Sequence, residues 1–380
     1  MARLIISTVG TSLLTNRIER ETDDNKWYKR LQQTANYSDS EVTQHHPDVE
    51  EFIAELKERA ETELYSDDTE GIREASAELN GIYGLYHEQI EEGISDTHLL
   101  VATDTAQGRV AAEIVESFLK SKGLTNTSIH VQPGLSTASS DIFVEGMAKL
   151  IPWMQETITD CKKSKYTICF NLVGGFKALQ GYFNTIGMFY ADEIIYLFEG
   201  SNQLIKIPKL PVKVDVSEIE PYKVQLAMMD VGEISTSWEE AKKVPEKWIL
   251  VDGQEMTLSA WGKLLWDKCK KELLSKEKPL PFPKLEYHQS FLDDYQAKPA
   301  NEKILLQENL ARAACLLKNH QDGISAMKQD GIFKLRRYKG KHKDLDHFDL
   351  PKDRRISCIA RENILYLRHY GEHDYVNNNP

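Results

Sequence analysis

The sequence has few cysteines and none of the spacings that hold structural zinc or build a disulfide framework. Its five cysteines lie far apart, and no Cys-x-x-Cys pair occurs. Long apolar runs are also missing: the first one, residues 4–9, is too short for a signal-peptide core, and none approaches the roughly 18 residues of a membrane span. We therefore expect a reducing, cytoplasmic setting, no metal centre and no membrane partner.

Two nucleotide-binding fingerprints are absent as well. Neither the Walker A spacing nor Gly-x-Gly-x-x-Gly occurs, which argues against an ordinary NTPase or dehydrogenase. The net charge of −12 argues against a nucleic-acid-binding protein, but the charge is uneven along the chain. From residue 284 onward there are 17 Lys and Arg against 14 Asp and Glu, and residues 334–355 hold nine basic against four acidic residues. The C-terminal part therefore carries a basic stripe.

The first 200 residues alternate short apolar strands with segments of helical periodicity. Strands that are apolar on both faces and separated by helices indicate a parallel sheet covered on both sides. We therefore expect an α/β, Rossmann-like open parallel sheet over residues 1–200. The predicted strands are 3–9, 97–102, 128–132, 166–172 and 194–198, and the predicted helices are 13–33, 48–63, 73–92, 108–122, 137–160 and 176–191.

The pattern changes after residue 200. Residues 201–283 are expected to form a connector subdomain that ends in a stiff, proline-rich linker, because three prolines alternate with other residues at 278–283. Residues 284–380 are expected to form a small α+β domain. The elements predicted after residue 200 are an edge strand at 204–214, a helix at 258–276, a strand at 285–291, a helix at 301–319, and three strands at 332–338, 354–361 and 364–370.

Three turns at the ends of the predicted strands carry hydroxyls, glycines or a lysine: residues 7–12, 103–105 and 171–177. Open parallel sheets bind ligands outside the carboxyl ends of their strands, where N–H groups at helix starts hold anions. Glycine and threonine are also ordinary caps and turn formers, but three such turns at one sheet edge favour a phosphate-bearing ligand. No cluster of acids and bases accompanies them, which indicates a sensor. The candidate ligand-binding residues are Thr11, Ser12, Thr103, Asn171, Gly174, Gly175 and Lys177.

Three segments together resemble the CARF domains of CRISPR-associated effectors: residues 9–14 (Val-Gly-Thr-Ser-Leu-Leu), 103–105 (Thr-Asp-Thr) and 171–177 (Asn-Leu-Val-Gly-Gly-Phe-Lys). The resemblance covers about residues 1–200. It implies a homodimer whose two-fold axis carries one cyclic oligoadenylate, most often cyclic tetra-adenylate, as an allosteric activator and not as a cofactor. By the same resemblance, the ligand backbone is contacted by Thr11 and Ser12, and the pocket is lined by Gly174, Gly175 and Lys177.

A sensor of this kind implies an attached effector, and two nuclease classes fit the tail poorly. HEPN ribonucleases need Arg-x4-His on a helix, whereas the two matches, Arg337 to His342 and Arg368 to His373, fall in predicted strands and turns. Restriction-type nucleases need a Glu-x-Lys beside a metal-binding Asp, and no Glu-x-Lys occurs after residue 283.

The remaining arrangement is a strand, a helix and a basic antiparallel meander with a closing His and Tyr, and it resembles the RelE superfamily of messenger RNA interferases. The segments that carry the resemblance are 333–336 (Phe-Lys-Leu-Arg), 353–356 (Asp-Arg-Arg-Ile) and 370–375 (Tyr-Gly-Glu-His-Asp-Tyr), although the spacing of the basic residues departs from any single member. The resemblance implies a metal-independent endoribonuclease that cleaves mRNA in the ribosome.

RNA cleavage without a metal ion needs a base for the 2′-hydroxyl, an acid for the leaving 5′-oxygen, and cations for the phosphate. Histidine titrates nearest to neutral pH, so His373 is the candidate acid or base, with His342 and His347 as second choices. Adjacent arginines on a strand face opposite ways, so one of Arg336 and Arg337, and one of Arg354 and Arg355, can reach the substrate. The candidate catalytic residues are Arg336 and Arg355 on the phosphate, Lys334 as a point charge, His373, and Tyr375 for stacking or proton transfer.

Two other functions stay open from the sequence. One is a HEPN-type ribonuclease that acts on free RNA. The other is a non-enzymatic regulator that binds a nucleotide and passes the signal to a partner, in which case the basic meander is only a solvated face.

Overall fold

The computed structural model describes residues 2–19, 26–66, 68–198 and 203–380, and the chain divides into two compact units. Unit 1 is Met1–Val212 and unit 2 is Lys213–Pro380. The connector expected from the sequence was 201–283, and its residues 213–283 belong to the same unit as the C-terminal segment.

The described part of unit 1 contains a six-stranded sheet in the order β3-β2-β1-β4-β5-β6. All neighbours are parallel except β6, which runs antiparallel to β5 at the edge. The α/β class expected from the sequence is confirmed. The strands are β1 (Arg3–Thr8), β2 (Thr97–Ala102), β3 (Thr127–Val131), β4 (Thr167–Asn171), β5 (Glu193–Leu197) and β6 (Leu204–Pro208).

Helices cover the sheet of unit 1, and the central strands are buried, as the apolar run Leu4, Ile5 and Ile6 of β1 shows. The helix predicted over 73–92 is split, because Ser76 has an extended backbone and its hydroxyl accepts from the N–H of Leu79 to start a new helix. The helices are α1 (Ser12–Thr15), α2 (Lys26–Gln33), α3 (Asp39–His45), α4 (Pro47–Ser66), α5 (Thr69–Ala75), α6 (Ala77–Leu85), α7 (Ala106–Ser121), α8 (Ser140–Lys163) and α9 (Lys177–Tyr190).

The strand order places a topological switch point between β1 and β4. The chain goes from β1 to β2 and β3 on one side, and then returns to β4 and β5 on the other side of β1. In open α/β sheets, ligands bind in the crevice outside the carboxyl ends of the strands at such a point. The turns after Thr8 and Asn171 therefore lie where a ligand site is expected.

Unit 2 contains two sheets within the described residues. A small one has the order β7-β9-β8, and a larger one has the order β10-β14-β13-β12-β11. In the larger sheet β10 is parallel to β14, and the other pairs are antiparallel. The strands are β7 (Ile234–Ser235), β8 (Ile249–Asp252), β9 (Glu255–Leu258), β10 (Leu285–Tyr287), β11 (Arg336–Arg337), β12 (Asp346–Leu350), β13 (Arg354–Arg361) and β14 (Ile364–Glu372).

One hydrophobic core runs through unit 2 and includes Trp266, Phe291, Leu310 and Phe348. The tail has more elements than expected from the sequence, because β12, α13 (Gln289–Gln296) and the last two helices were not predicted. The strand expected over 285–291 ends at Tyr287, and the strand expected over 332–338 is reduced to β11. The helices are α10 (Val216–Ile219), α11 (Lys223–Val231), α12 (Ala260–Leu274), α13 (Gln289–Gln296), α14 (Ala300–Asn319), α15 (Gly323–Gln329) and α16 (His373–Asn378).

The proline-rich segment expected to be a linker is part of the unit 2 core. Leu280 and Phe282 alternate with its prolines and are buried. The N–H of Leu280 donates to Oε1 of Gln307 at 2.7 Å, and the hydroxyl of Tyr287 donates to the carbonyl of Leu280 at 2.7 Å. The prolines set an extended backbone, but the apolar residues between them decide that it packs and does not separate two domains.

Candidate functional site

The turns that follow β1 and β4 lie against each other. The hydroxyl of Thr8 donates to the carbonyl oxygen of Gly174 at 2.5 Å. Gly10 lies so close to the second turn that a Cβ atom on it would be 3.0 Å from the amide nitrogen of Gly175. Gly175 itself has a φ of +98°, a conformation that glycine adopts without a steric penalty. We call this meeting point, formed by Thr8, Gly10, Gly174 and Gly175, the β1–β4 crevice.

A buried carboxyl group forms the floor of the β1–β4 crevice. Glu78 of α6 is only 1% exposed, and its Oε1 accepts the N–H of Gly10 at 2.8 Å. Its Oε2 accepts the hydroxyl of Ser76 at 2.9 Å. A side chain at position 174 would overlap this carboxyl group, so Gly174 is required by the close approach of Glu78. Glu78 thus holds both glycine turns, a role for which the sequence carried no local signal.

Two of the predicted ligand-binding residues lie beneath the surface. Asn171 is fully buried, and its Nδ2 donates to Oγ of Ser7 at 3.1 Å and to the carbonyl of Glu78 at 3.0 Å. Thr103 is also buried, and its hydroxyl lies 3.0 Å from the hydroxyl of Thr105. Their side chains support the turns from below, because their polar atoms are committed to these internal hydrogen bonds.

The turn after β2 is bound to the turn after β3. The N–H of Asp104 donates to the carbonyl of Leu135 at 2.8 Å, and its Oδ2 accepts the N–H of Gly134 at 2.9 Å. Burial disfavours the charged form of Asp104, but the hydrogen bonds from Gly134 and Arg109 outweigh it and lower the pKa of this carboxyl group. The turn after β2 is thus joined to the turn after β3, while the turns after β1 and β4 meet in the β1–β4 crevice.

Gly174 is buried against Glu78, and the other four predicted residues lie at the accessible rim of the crevice. Thr11 and Ser12 are half-buried at the start of α1, and Gly175 is half-buried in the facing turn. Lys177 is exposed and is the first residue of the 14-residue helix α9. The N-terminal end of a helix carries unpaired N–H groups and a partial positive charge, to which Lys177 adds a full one. The rim is therefore suited to an anionic group.

Replacing Glu78 by glutamine should remove a pH-dependent term from the stability of unit 1. Burial raises the pKa of Glu78 above its ordinary value of 4.5, so the folded protein keeps this proton where the unfolded chain has released it. The free energy of unfolding then falls as pH rises above 4.5, and the loss is complete above the folded pKa. Denaturant unfolding at several pH values should show the variant gaining stability over the wild type as pH rises. A difference that stays constant with pH would contradict this account.

In unit 2, polar side chains occupy one face of the larger sheet. Register places Arg336, His347, Ser357 and His369 in one row across β11, β12, β13 and β14. Residues in register across a sheet share a face, and so do residues two apart on a strand, so Asp349 and Arg355 lie on this face too. The opposite face carries buried apolar residues such as Phe348 and Ile356. We call the first of these two faces the polar face.

The two arginines of the polar face differ in how far solvent can reach them. The Arg355 side chain is 5% exposed, and its Nε and Nη2 donate to Oδ1 of Asp349 at 2.8 and 2.7 Å, while Nη1 donates to Oδ1 of Asn377 at 2.7 Å. The Arg336 side chain is 46% exposed, and it donates from Nε to Nε2 of His347 at 3.0 Å and from Nη2 to Oδ2 of Asp349 at 2.6 Å. Arg336 is therefore held in place with part of its guanidinium open to a ligand.

Each neighbour of these arginines points to the other face. Nε of Arg337 lies 3.3 Å from Oδ1 of Asp346, and Nε of Arg354 donates to Oε1 of Glu302 at 3.0 Å. Arg337 lies on β11 and Arg368 on β14, so neither Arg-x4-His match has the helical setting that a HEPN site needs.

Predicted residues His373 and Tyr375 lie on α16, which follows β14 directly. Nδ1 of His373 is 3.1 Å from Nδ2 of Asn377, so Asn377 links His373 to Arg355. The hydroxyl of Tyr375 donates to Oδ1 of Asp294 at 2.7 Å, and this hydrogen bond, together with burial, raises the pKa of Tyr375 to about 12. The structure thus brings Arg336, Arg355 and His373 together through Asp349 and Asn377.

Lys334 precedes β11, and its side chain is exposed. Its backbone N–H donates to the carbonyl of Asp330 at 3.2 Å, and its φ is +46°. Lys334 therefore lies at the end of the turn that leads into β11, two residues before Arg336.

His347 was a second choice from the sequence, and the structure places it at the centre of the polar face. Burial, reinforced by the nearby guanidinium groups of Arg355 and Arg336, lowers its pKa to about 4. It is therefore neutral at physiological pH and accepts the hydrogen bond from Arg336. Its neighbour on β12, Asp349, was missed because the strand itself was not predicted.

Replacing Asp349 by alanine should destabilise unit 2 by about 3 kcal/mol, because it leaves the buried guanidinium of Arg355 without its counter-ion. Burial disfavours the charged form of Asp349, yet hydrogen bonds from Arg355 and Arg336 outweigh it and lower the pKa of the carboxyl group. The control is Glu239→Ala, which removes an exposed pair with Lys242 and should change stability by less than about 1 kcal/mol. Denaturant unfolding measures the free energy of unfolding of both variants. Equal losses in the two variants would contradict a stabilising role for the buried ion pair between Asp349 and Arg355.

One family comparison bears on the crevice. Residues 73–210 match the family model described as CRISPR-associated protein (Cas_APE2256). This match supports a CRISPR-associated protein with a role in CRISPR defence. It covers about a third of the chain and includes both Glu78 and the turn at 171–177.

A structural comparison gives a weaker result. A copper-bound mutant toxin from Helicobacter pylori is 18% identical, with a TM-score of 0.17, and the match covers 24% of this chain and 96% of the toxin. A likeness at that TM-score carries no argument about fold or function.

Two features are absent from the residues that the structure describes. None of their helices combines the length and the apolar character needed to cross a membrane. No group of three or more His, Cys, Asp or Glu among them is placed to hold a metal ion.

Proposed function

We propose that this protein is a ligand-activated ribonuclease of CRISPR defence, in which unit 1 binds a cyclic oligoadenylate and unit 2 cleaves messenger RNA. The observation that carries the proposal is the arrangement of side chains on the polar face. His347 and Asp349 fix the partly exposed guanidinium of Arg336. On the same face, Asn377 joins Arg355 to His373. A phosphate-binding cation beside a histidine is the combination that RNA transesterification needs.

The residues of the polar face divide the work of this reaction. Arg336 holds a non-bridging oxygen of the scissile phosphate and stabilises the charge that develops there. His373 accepts the proton of the 2′-hydroxyl, whose oxygen forms a new bond to phosphorus. A general acid protonates the 5′-oxygen as its bond to phosphorus breaks, and the products are a 2′,3′-cyclic phosphate and a 5′-hydroxyl. Arg355 acts from inside the sheet as a positioning residue, because it is buried and holds Asp349 and Asn377.

The rim of the β1–β4 crevice supports the sensing role of unit 1. Thr11, Ser12, Gly175 and Lys177 offer hydroxyls, backbone N–H groups and one positive charge at a switch point of the sheet. A cyclic oligoadenylate carries several phosphates, and cyclic tetra-adenylate is the ring that the CARF resemblance implies. The proposal includes a homodimer that shares one such ring across its two-fold axis.

The deciding experiment measures cleavage of an mRNA by the full chain, with and without cyclic tetra-adenylate, in the presence and absence of ribosomes. Cleavage that requires both additions supports the proposal in full. Activator-dependent cleavage of free RNA would replace the ribosome-dependent interferase by a ribonuclease that acts on free RNA. Binding of the activator with no cleavage under any condition would favour a non-enzymatic regulator. Linear tetra-adenylate is the matched control for the ring.

A further inference from the structure

A second histidine on the polar face is held by a carboxylate. His369 of β14 lies in the same row as His347 and Ser357, and its Nδ1 is 3.0 Å from Oδ2 of Asp294 on α13. A carboxylate only accepts hydrogen bonds, so Nδ1 of His369 carries a proton and the nitrogen left for proton transfer is Nε2. The sequence offered no signal for this pair, because its two residues are 75 positions apart.

The carboxylate that holds His369 is itself firmly fixed. Asp294 has a side chain that is 14% exposed. Its Oδ2 also accepts the N–H of Tyr370 at 3.0 Å, and its Oδ1 accepts the hydroxyl of Tyr375 at 2.7 Å. The ring of Tyr375 meets the imidazole of His369 edge to face, with centroids 6.2 Å apart. Tyr375, expected from the sequence to contact the substrate, therefore acts on Asp294 in this structure.

His369 is also placed where a substrate on the polar face would reach it. Its side chain is 22% exposed. It lies two strands from His347, a separation of about 10 Å at the usual spacing between strands. The next residue of β14 on this face, Gly371, pairs with Arg355, and the ring of Tyr375 packs against it. His369 and Arg336 thus lie at the two ends of one row across the polar face, and each has a partly exposed side chain.

We infer that His369 is the general acid of the ribonuclease site, oriented by Asp294, and this inference rests on the proposed function. The N–H at Nε2 gives its proton to the 5′-oxygen as the bond from phosphorus to that oxygen breaks. His373 holds the proton taken from the 2′-hydroxyl, so one proton enters and one leaves the reacting group. The carboxylate of Asp294 accepts from Nδ1 and complements the positive charge of the imidazolium before the transfer. Asp294 and Tyr375 are positioning residues in this scheme.

The test compares two versions of one mRNA that differ at the scissile bond, where the 5′-oxygen is replaced by sulfur. A thiolate leaves without being protonated, so a missing general acid matters only for the oxygen substrate. His369→Asn should lower kcat on the oxygen substrate by about 10²–10⁴-fold and stay within about tenfold of the wild type on the sulfur substrate. Asp294→Asn should show the same pattern with a smaller loss. The control His320→Asn, at an exposed histidine of unit 2, should match the wild type on both substrates.

Equal losses on the two substrates would overturn the assignment and give His369 a structural role. His369→Gln serves as a second variant if His369→Asn unfolds, and thermal unfolding of each variant shows whether it is folded at the assay temperature. If the wild type cleaves neither substrate in the presence of cyclic tetra-adenylate and ribosomes, the proposed function itself fails. The two failures are therefore distinct.

Discussion

Replacing His373 by alanine is expected to slow RNA cleavage by about 10²–10⁴-fold, the usual contribution of a positioned acid or base. The reason is that His373 takes the proton of the attacking 2′-hydroxyl, and alanine has no group to accept it. The measurement is single-turnover cleavage of an mRNA in the presence of cyclic tetra-adenylate and ribosomes. The affinity for cyclic tetra-adenylate, measured by calorimetry, should stay at the wild-type value because His373 lies in unit 2.

The matched control for this variant is His320→Ala, since His320 is an exposed histidine of the same unit. It should cleave at the wild-type rate. Unchanged cleavage by His373→Ala would remove His373 from the mechanism. It would also require another acceptor for the 2′-hydroxyl proton. Because His373 contacts Asn377, which holds Arg355, thermal unfolding of both variants is needed to show that each is folded at the assay temperature.

Replacing Arg336 by alanine is expected to lower kcat by about 10²–10³-fold, as removal of one transition-state hydrogen-bond donor does in other enzymes. Arg336 is the exposed cation of the polar face, and its orientation is set by His347 and Asp349. The loss should appear mainly in kcat, because the negative charge on the phosphate grows in the transition state. Arg336→Lys should recover only part of it, since a lysine cannot offer two parallel donors.

The neighbouring residue supplies the control. Arg337 is on the same strand but faces the other way, so Arg337→Ala removes one positive charge without touching the polar face. It should leave kcat within about twofold of the wild type once both variants are shown to be folded by thermal unfolding. Equal losses in the two variants would mean that only the net charge of the region matters, and the assignment of Arg336 would then be wrong.

Much of unit 1 could be predicted from local patterns. The predicted strand at 97–102 matches β2 residue for residue, and the other four parallel strands agree within one residue. The single helix predicted over 13–33 was wrong, since α1 ends at Thr15 and α2 begins at Lys26. An apolar run of five or six residues is a local property, as is the helical spacing between the runs. The convergence of the turns was less predictable, because it depends on strand order. The two turns that meet follow β1 and β4, which are neighbouring strands at the switch point. The turn that begins at Thr103 is instead hydrogen-bonded to the turn after β3.

The tail shows the limit of such patterns. Its strands β13 and β14 have strong apolar alternation and were predicted, but β12 carries two aspartates and a histidine among five residues and has no such signature. That strand supplies Asp349 and His347, which decide how Arg336 and Arg355 are oriented. Likewise, prolines near residue 280 indicated a boundary, while burial of Leu280 and Phe282 shows a continuous core.

The sequence by itself determined the α/β class, the glycine turns at the ends of β1 and β4, and the basic character of the tail. Each of these depends on residues that are close together in the chain, so periodicity and composition are enough. Only the tertiary structure decided that Glu78 supports the β1–β4 crevice, that Arg355 is buried while Arg336 is open, and that Asp294 holds His369. These pairings join residues brought together by packing of distant segments, and the free energy that selects them comes from burial and hydrogen bonding that no local pattern records.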